Sequence, residues 1–161
     1  MLFVAEKARA LLSKETTPNQ AISHFSETVV GTCRNFFGDS IVIAPREQNH
    51  MFQGKNPHSG TFLLARARRL PWILPTLSSS NVVRISNQEH RDIRELYLAE
   101  IGVFRMNAGR TVVYPEYFCV VVNQTRRKKR TVRKFVTAYP IKPSRYFDYL
   151  EKLPSAYPAR E

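Results

Sequence analysis

The chain has 161 residues, 43% of them apolar and 11% aromatic, enough for one domain whose core needs no disulfide or metal staple. That composition excludes wholesale disorder, and no apolar run approaches the ~18 residues of a membrane-spanning helix. Lys and Arg number 25 against 13 Asp and Glu, a net charge of +12 whose long-range field attracts polyanions, nucleic acid first among them.

Residues 1–38 read as a helical N-terminal extension. Ala5, Ala8, Leu11 and Leu12 share one face of a short helix, and Glu6, Lys7 and Arg9 leave no secretory-signal pattern. A second helix starts at Thr17 as N-cap with Pro18 in its first turn. Ile22, Phe25, Val29, Cys33 and Phe36 then recur at three- and four-residue steps up to a stop at Gly38. His24 sits beside that stripe and reads as structural. Cys33 and Cys119 are isolated among apolar neighbours, which fits buried thiols in a reducing compartment and no zinc site.

Residues 40–44 form a β-branched run, the signature of a strand. Residues 45–60 are polar, with Pro45, Gly54, Pro57 and Gly60, and predict a loop carrying His50, Lys55 and His58. Helical character resumes at Thr61, with Phe62, Leu63, Ala65, Ala67 and Leu70 apolar and Arg66, Arg68 and Arg69 charged. Pro71 and Pro75 break it, leaving a second turn around 72–77.

Four strands follow at 81–86, 95–104, 117–124 and 131–141, joined by short turns that favour an antiparallel meander. Side-chain alternation places Arg133, Phe135, Thr137 and Tyr139 on one face of the last strand, with Lys134, Val136 and Ala138 on the other. Pro143 opens a final helix with Tyr146, Tyr149, Leu150 and Leu153 on its inner face. The expected fold is therefore α+β: N-terminal helices, a four-stranded antiparallel sheet, then one C-terminal helix.

No metal-ligand spacing, phosphate-binding glycine loop or nucleophile elbow occurs, so neither a metal nor another cofactor is expected. A basic surface with histidine, threonine and tyrosine suits metal-independent RNA cleavage. There the ribose 2′-hydroxyl attacks the adjacent phosphorus while groups titrating near neutrality move the protons. His58 and His50 are the first candidates for that task, and His90 reads as a solvated turn residue. Arg66 and Arg69, one helical turn apart, are placed to clamp a phosphate. Thr137 and Tyr139 are placed to bond it from the last strand. The run Arg126, Arg127, Lys128, Lys129, Arg130 tips a hairpin, and with Arg133 and Lys134 it forms the expected backbone contact for nucleic acid.

Two segments carry a family resemblance. Arg69-Leu70-Pro71-Trp72-Ile73-Leu74-Pro75-Thr76-Leu77 and Phe135-Val136-Thr137-Ala138-Tyr139-Pro140-Ile141 resemble stretches of phage-type nuclease domains of the barnase–EndoU–colicin–RelE superfamily. Such domains occur in phage head-morphogenesis fusions and polymorphic toxins. The resemblance implies a nuclease domain over 39–153, with 154–161 a tail. It implies metal-independent ribonuclease activity in a toxin or phage-encoded effector, with His58 or His50, Arg69 and Thr137 at the matching positions and Tyr139 adjacent.

The implied partner is RNA, of unspecified type, and an acidic immunity protein would fit a toxin. The competing readings are a non-catalytic nucleic-acid or phage-head interaction module and a basic scaffold for an acidic partner. The expected location is cytoplasmic, with delivery inside a longer polypeptide as the alternative.

Overall fold

The computed structural model describes residues 17–53, 63–89 and 92–152. Helix α1 (Pro18–His24) begins at a capping box: Thr17 Oγ1 accepts from Gln20 N–H at 3.3 Å, and Gln20 Oε1 accepts from Thr17 N–H at 3.2 Å. Pro18 fills the first turn, where its missing N–H costs nothing. One wider, π-helical turn (Phe25–Val29) continues the helix, and Thr28 Oγ1 donates to the His24 carbonyl at 2.7 Å. The chain then extends into strand β1 (Gly31–Arg34).

This corrects the expectation of one helix up to Gly38. The periodic stripe of Phe25 and Val29 is real, but Cys33 lies on a strand paired with β2 (Ser40–Ile43). Gly31, at φ +135°, takes a conformation that β-carbon-bearing residues avoid, and it is where helix gives way to strand. Residues 45–60 are also not wholly loop. A 3₁₀ turn (Pro45–Glu47) leads into helix α2 (Gln48–Gln53). Helix α3 (Leu64–Ala67), a 3₁₀ turn (Leu70–Trp72) and α4 (Ile73–Ser78) follow.

Strands β3 (Val83–Glu89), β4 (Asp92–Asn107), β5 (Arg110–Arg127) and β6 (Arg130–Ile141) pair antiparallel in sequence order. Helix α5 (Pro143–Glu151) closes the described chain. The sheet is nevertheless not the expected four-stranded antiparallel one. It has six strands in the order β1-β2-β6-β5-β4-β3, and β2 runs parallel to β6 through Ile41↔Arg133 and Val42↔Lys134. The fold is α+β with a mixed sheet. The β1–β2 hairpin docks on the β6 edge because Ile41 and Ile43 are fully apolar on their inner face and must be buried.

Each face of the sheet has its own core. On one side α1, α2, α3 and α4 cover Tyr97, Ile101, Phe118, Val120, Val122 and Phe135. Trp72 meets Phe118 edge-on at 5.6 Å, and Phe25 meets Phe52 in the same way at 6.1 Å. On the other side α5 lays Tyr146 against Tyr117, with ring centres 4.3 Å apart, over Leu98, Cys119 and Val121.

A bulge in β6 couples the two faces. Val121 opposes Thr137 and Val122 opposes Phe135, so Val136 is an extra residue. The expected alternation therefore breaks at that point. Phe135 and Ala138 share the first core, while Val136 and Tyr139 belong to the second. Arg133 and Tyr139 consequently serve different faces. No helix among the described residues is long and apolar enough to cross a membrane.

Candidate functional site

Three sequence-predicted residues meet at the edge of β6. The described pairing of β2 with β6 ends at Lys134, and α2 and α3 pack against β6. From α3, Arg66 Nη1 donates to Thr137 Oγ1 at 3.3 Å and to the Met51 carbonyl of α2 at 3.5 Å. Its guanidinium carbon lies 5.2 Å above the ring of Tyr139. Partial burial holds the Arg66 guanidinium below its usual value, and Tyr139 opposes that shift. Burial, then the neighbouring Cys119, push the Tyr139 phenol well above the usual tyrosine range, with Arg66 pulling the other way. The Tyr139 hydroxyl is shared with the buried Cys119 thiol, and its ring is what faces Arg66. The site offers a forked cation and a hydroxyl, donors suited to an anion.

Tyr139 also lines a cleft of about 510 Å³ between β6 and α5, with Ile141, Lys142, Ser144, Arg145, Asp148 and Tyr149. Arg145 Nη2 donates to Tyr149 Oη at 3.3 Å. Tyr139 is the residue this cleft shares with the Arg66 contact, and Lys142 and Arg145 set two cations beside one carboxylate, Asp148, on its wall.

His50 belongs to α2, one residue before Met51, so the backbone that receives Arg66 is its own helix. The His50 side chain, and His58 and His90 entirely, lie outside the described residues. Among the described residues, no group of three or more His, Cys, Asp or Glu side chains is gathered as a metal site.

Arg69 is not part of this arrangement. Its Nε and Nη2 both donate to Glu116 Oε2, at 3.2 and 2.8 Å, and Nη1 donates to the Ala65 carbonyl at 2.7 Å. The guanidinium also lies 5.1 Å over Trp72. Arg69 thus fastens the helical layer to β5, and the expected Arg66–Arg69 phosphate clamp is not formed: one arginine reaches β6, the other β5.

The basic run divides in a similar way. Arg126, Arg127, Lys128, Lys129 and Arg130 are exposed at the β5–β6 tip, and Lys134 is exposed beyond it. Arg133 is not free for phosphate. Its Nε donates to Glu95 Oε1 at 2.8 Å, and its Nη1 lies 3.2 Å from Asp39 Oδ1. Arg84 Nη1 adds contacts of 2.9 Å to Asp39 and 3.5 Å to Glu95. Tyr97 donates to Glu95 at 3.3 Å and accepts from Asn35 Nδ2 at 2.9 Å.

Sequence reasoning missed this network of Asn35, Asp39, Arg84, Glu95 and Tyr97. Glu95 is 1% exposed, and two arginines and the Tyr97 phenol surround its carboxylate, the pairing that a buried acid requires. Burial works to lower the Arg84 value, but Tyr97, Glu95 and Asp39 outweigh it and raise the net value. The available signal was alternation: Glu95 shares a strand face with Tyr97, Ile101 and Val103, an acid on an inward face.

No family model, curated protein or solved structure gives a significant match to the chain. The functional reading therefore rests on geometry and chemistry.

Proposed function

We propose that the protein is a metal-independent endoribonuclease whose phosphate-binding centre is Arg66 with Thr137 and Tyr139. The observation that carries the proposal is the single guanidinium that bonds Thr137 and overlies Tyr139, itself a lining residue of the cleft beside α5. In the proposed step the 2′-hydroxyl oxygen bonds to phosphorus and the bond from phosphorus to the 5′ oxygen breaks. The products are a 2′,3′-cyclic phosphate and a 5′-hydroxyl. Arg66 offsets the charge that builds on the phosphorane, with Thr137 as a neutral donor and the Tyr139 ring facing the guanidinium. His50 or His58 takes the 2′ proton, and a protonated partner supplies one to the leaving oxygen.

RNA as substrate, a toxin or phage-encoded setting, an acidic inhibitory partner and a cytoplasmic location all belong to this same reading. Incubating the full chain with labelled total RNA in EDTA tests it. Discrete fragments that disappear in His58→Ala or His50→Ala support the proposal and name the histidine.

A second reading, nucleic-acid binding without cleavage, is favoured by the hairpin tip. Lys128 adopts φ +52°, a left-handed conformation that costs a lysine about 1–2 kcal/mol and a glycine nothing. A strained lysine inside five consecutive cations suits a charge placed for contact. Salt-sensitive retention of RNA without fragments supports this reading.

A further inference from the structure

The loop joining β1 to β2 displays two consecutive phenylalanines. Phe36 is 46% exposed and Phe37 is 41% exposed, and neither belongs to either core. Their rings meet edge-on, 5.6 Å apart. The loop beneath them is tightly built. Asn35 N–H donates to the Asp39 carbonyl at 3.0 Å, Asp39 N–H donates to Asn35 Oδ1 at 2.8 Å, and Phe36 N–H donates to the Leu77 carbonyl at 2.7 Å. Buried Asn35 anchors the loop through Tyr97. Arg84, held by Asp39, lies 4.3 Å over the Phe37 ring. Neither ring joins a core, and the hydrogen-bonded loop leaves both partly open to solvent.

Their position gives them a partner. Arg133, bound to Asp39 in this same loop, lies three residues along β6 from Arg130, about 10 Å from the basic tip. Because β2 runs parallel to β6, the β1–β2 loop and the β5–β6 tip lie at the same end of the sheet, and a strand of nucleic acid laid on the tip can run on toward the phenyl rings. Cations that track a backbone, beside aromatic faces that stack bases, are the two parts of single-strand recognition. A duplex keeps its bases stacked inside and gains only the charge contact.

We infer that Phe36 and Phe37 form a base-stacking platform for unpaired nucleotides. The inference rests on the polyanion-binding part of the proposed function and is independent of catalysis.

Fluorescence anisotropy of the full chain tests it with two strands of about 12 nucleotides, one of 2′-O-methyluridine, which resists cleavage, and one abasic with the same phosphates. The uridine strand should bind about tenfold tighter. Phe36→Leu and Phe37→Leu should reduce that preference to about twofold or less without changing abasic binding, and Phe36→Trp should keep it. Equal affinities in the wild-type chain overturn the platform and leave the electrostatic tip standing. A preference that survives both leucine variants also overturns it. No binding to either strand overturns the platform and the polyanion reading together. Unchanged abasic affinity shows that a leucine variant is folded, so each variant carries its own control.

Discussion

The Arg66 guanidinium carbon sits 5.2 Å above the Tyr139 ring, and this contact joins a helix that follows the histidine segment to the last strand of the sheet. It separates two arginines that the sequence makes equivalent. Arg66→Ala should lower RNA cleavage by about 100-fold or more, because one preorganised donor to a charged transition state is worth that much. Arg66→Lys should recover only part of the loss, since a lysine cannot bond Thr137 and stack on Tyr139 together. Gel assays of initial rates read both effects.

Arg69→Ala should behave in the opposite way. Losing the Glu116 contacts should cost about 1–2 kcal/mol of stability in a urea titration and leave the cleavage rate within about threefold of wild type. An Arg69 variant that is fully stable and inactive would return this residue to the site.

Glu95 is the strongest stability prediction. Glu95→Gln removes the charge that two arginines share in a buried setting, and about 3–5 kcal/mol should be lost. Chemical denaturation measures it. A loss below about 1 kcal/mol would mean that the network is solvated rather than buried.

Lys128→Gly should stabilise and weaken at once. Relief of the positive φ should add about 1 kcal/mol, while RNA affinity and the slope of log affinity against log salt should both fall, the slope by about 1. Thermal melts and salt titrations give the two halves of this test.

Alkaline pH should destabilise the fold. Burial pushes the Cys119 thiol from 9.0 up to about 12. Between those values the unfolded chain has released this proton and the folded chain has not. Rising pH therefore favours unfolding, by about 1.4 kcal/mol per pH unit for this group. The raised phenol of Tyr139 acts in the same direction. Denaturation between pH 9 and about 12 should be shallower in Cys119→Ala.

Much of the second half of the chain was legible because its strands announce themselves locally. β-Branched runs, the Asn107-Ala108-Gly109 turn and Pro143 each act within a few residues. Ala108 and Gly109, at φ +47° and +75°, make the two-residue turn that such a sequence favours. Strand β1 was not legible because Val29, Cys33 and Phe36 keep a helical spacing across a helix-to-strand junction. The parallel seat of β2 on β6 joins residues about 90 positions apart, which no local pattern encodes. The site was legible in part: Arg66, Thr137 and Tyr139 meet, although alternation alone misplaced the faces of β6, because a bulge leaves no periodic trace. The Glu95 network needed pairing partners from three further elements.

A chimeric oligonucleotide with one ribonucleotide in a DNA strand, incubated with the full chain in EDTA, probes the central claim most directly. One cut is expected, 3′ to the ribose, leaving a 2′,3′-cyclic phosphate and a 5′-hydroxyl, and an Arg66→Ala chain should scarcely cut. An intact chimera, or a cut that persists when the ribose is replaced by deoxyribose, contradicts it.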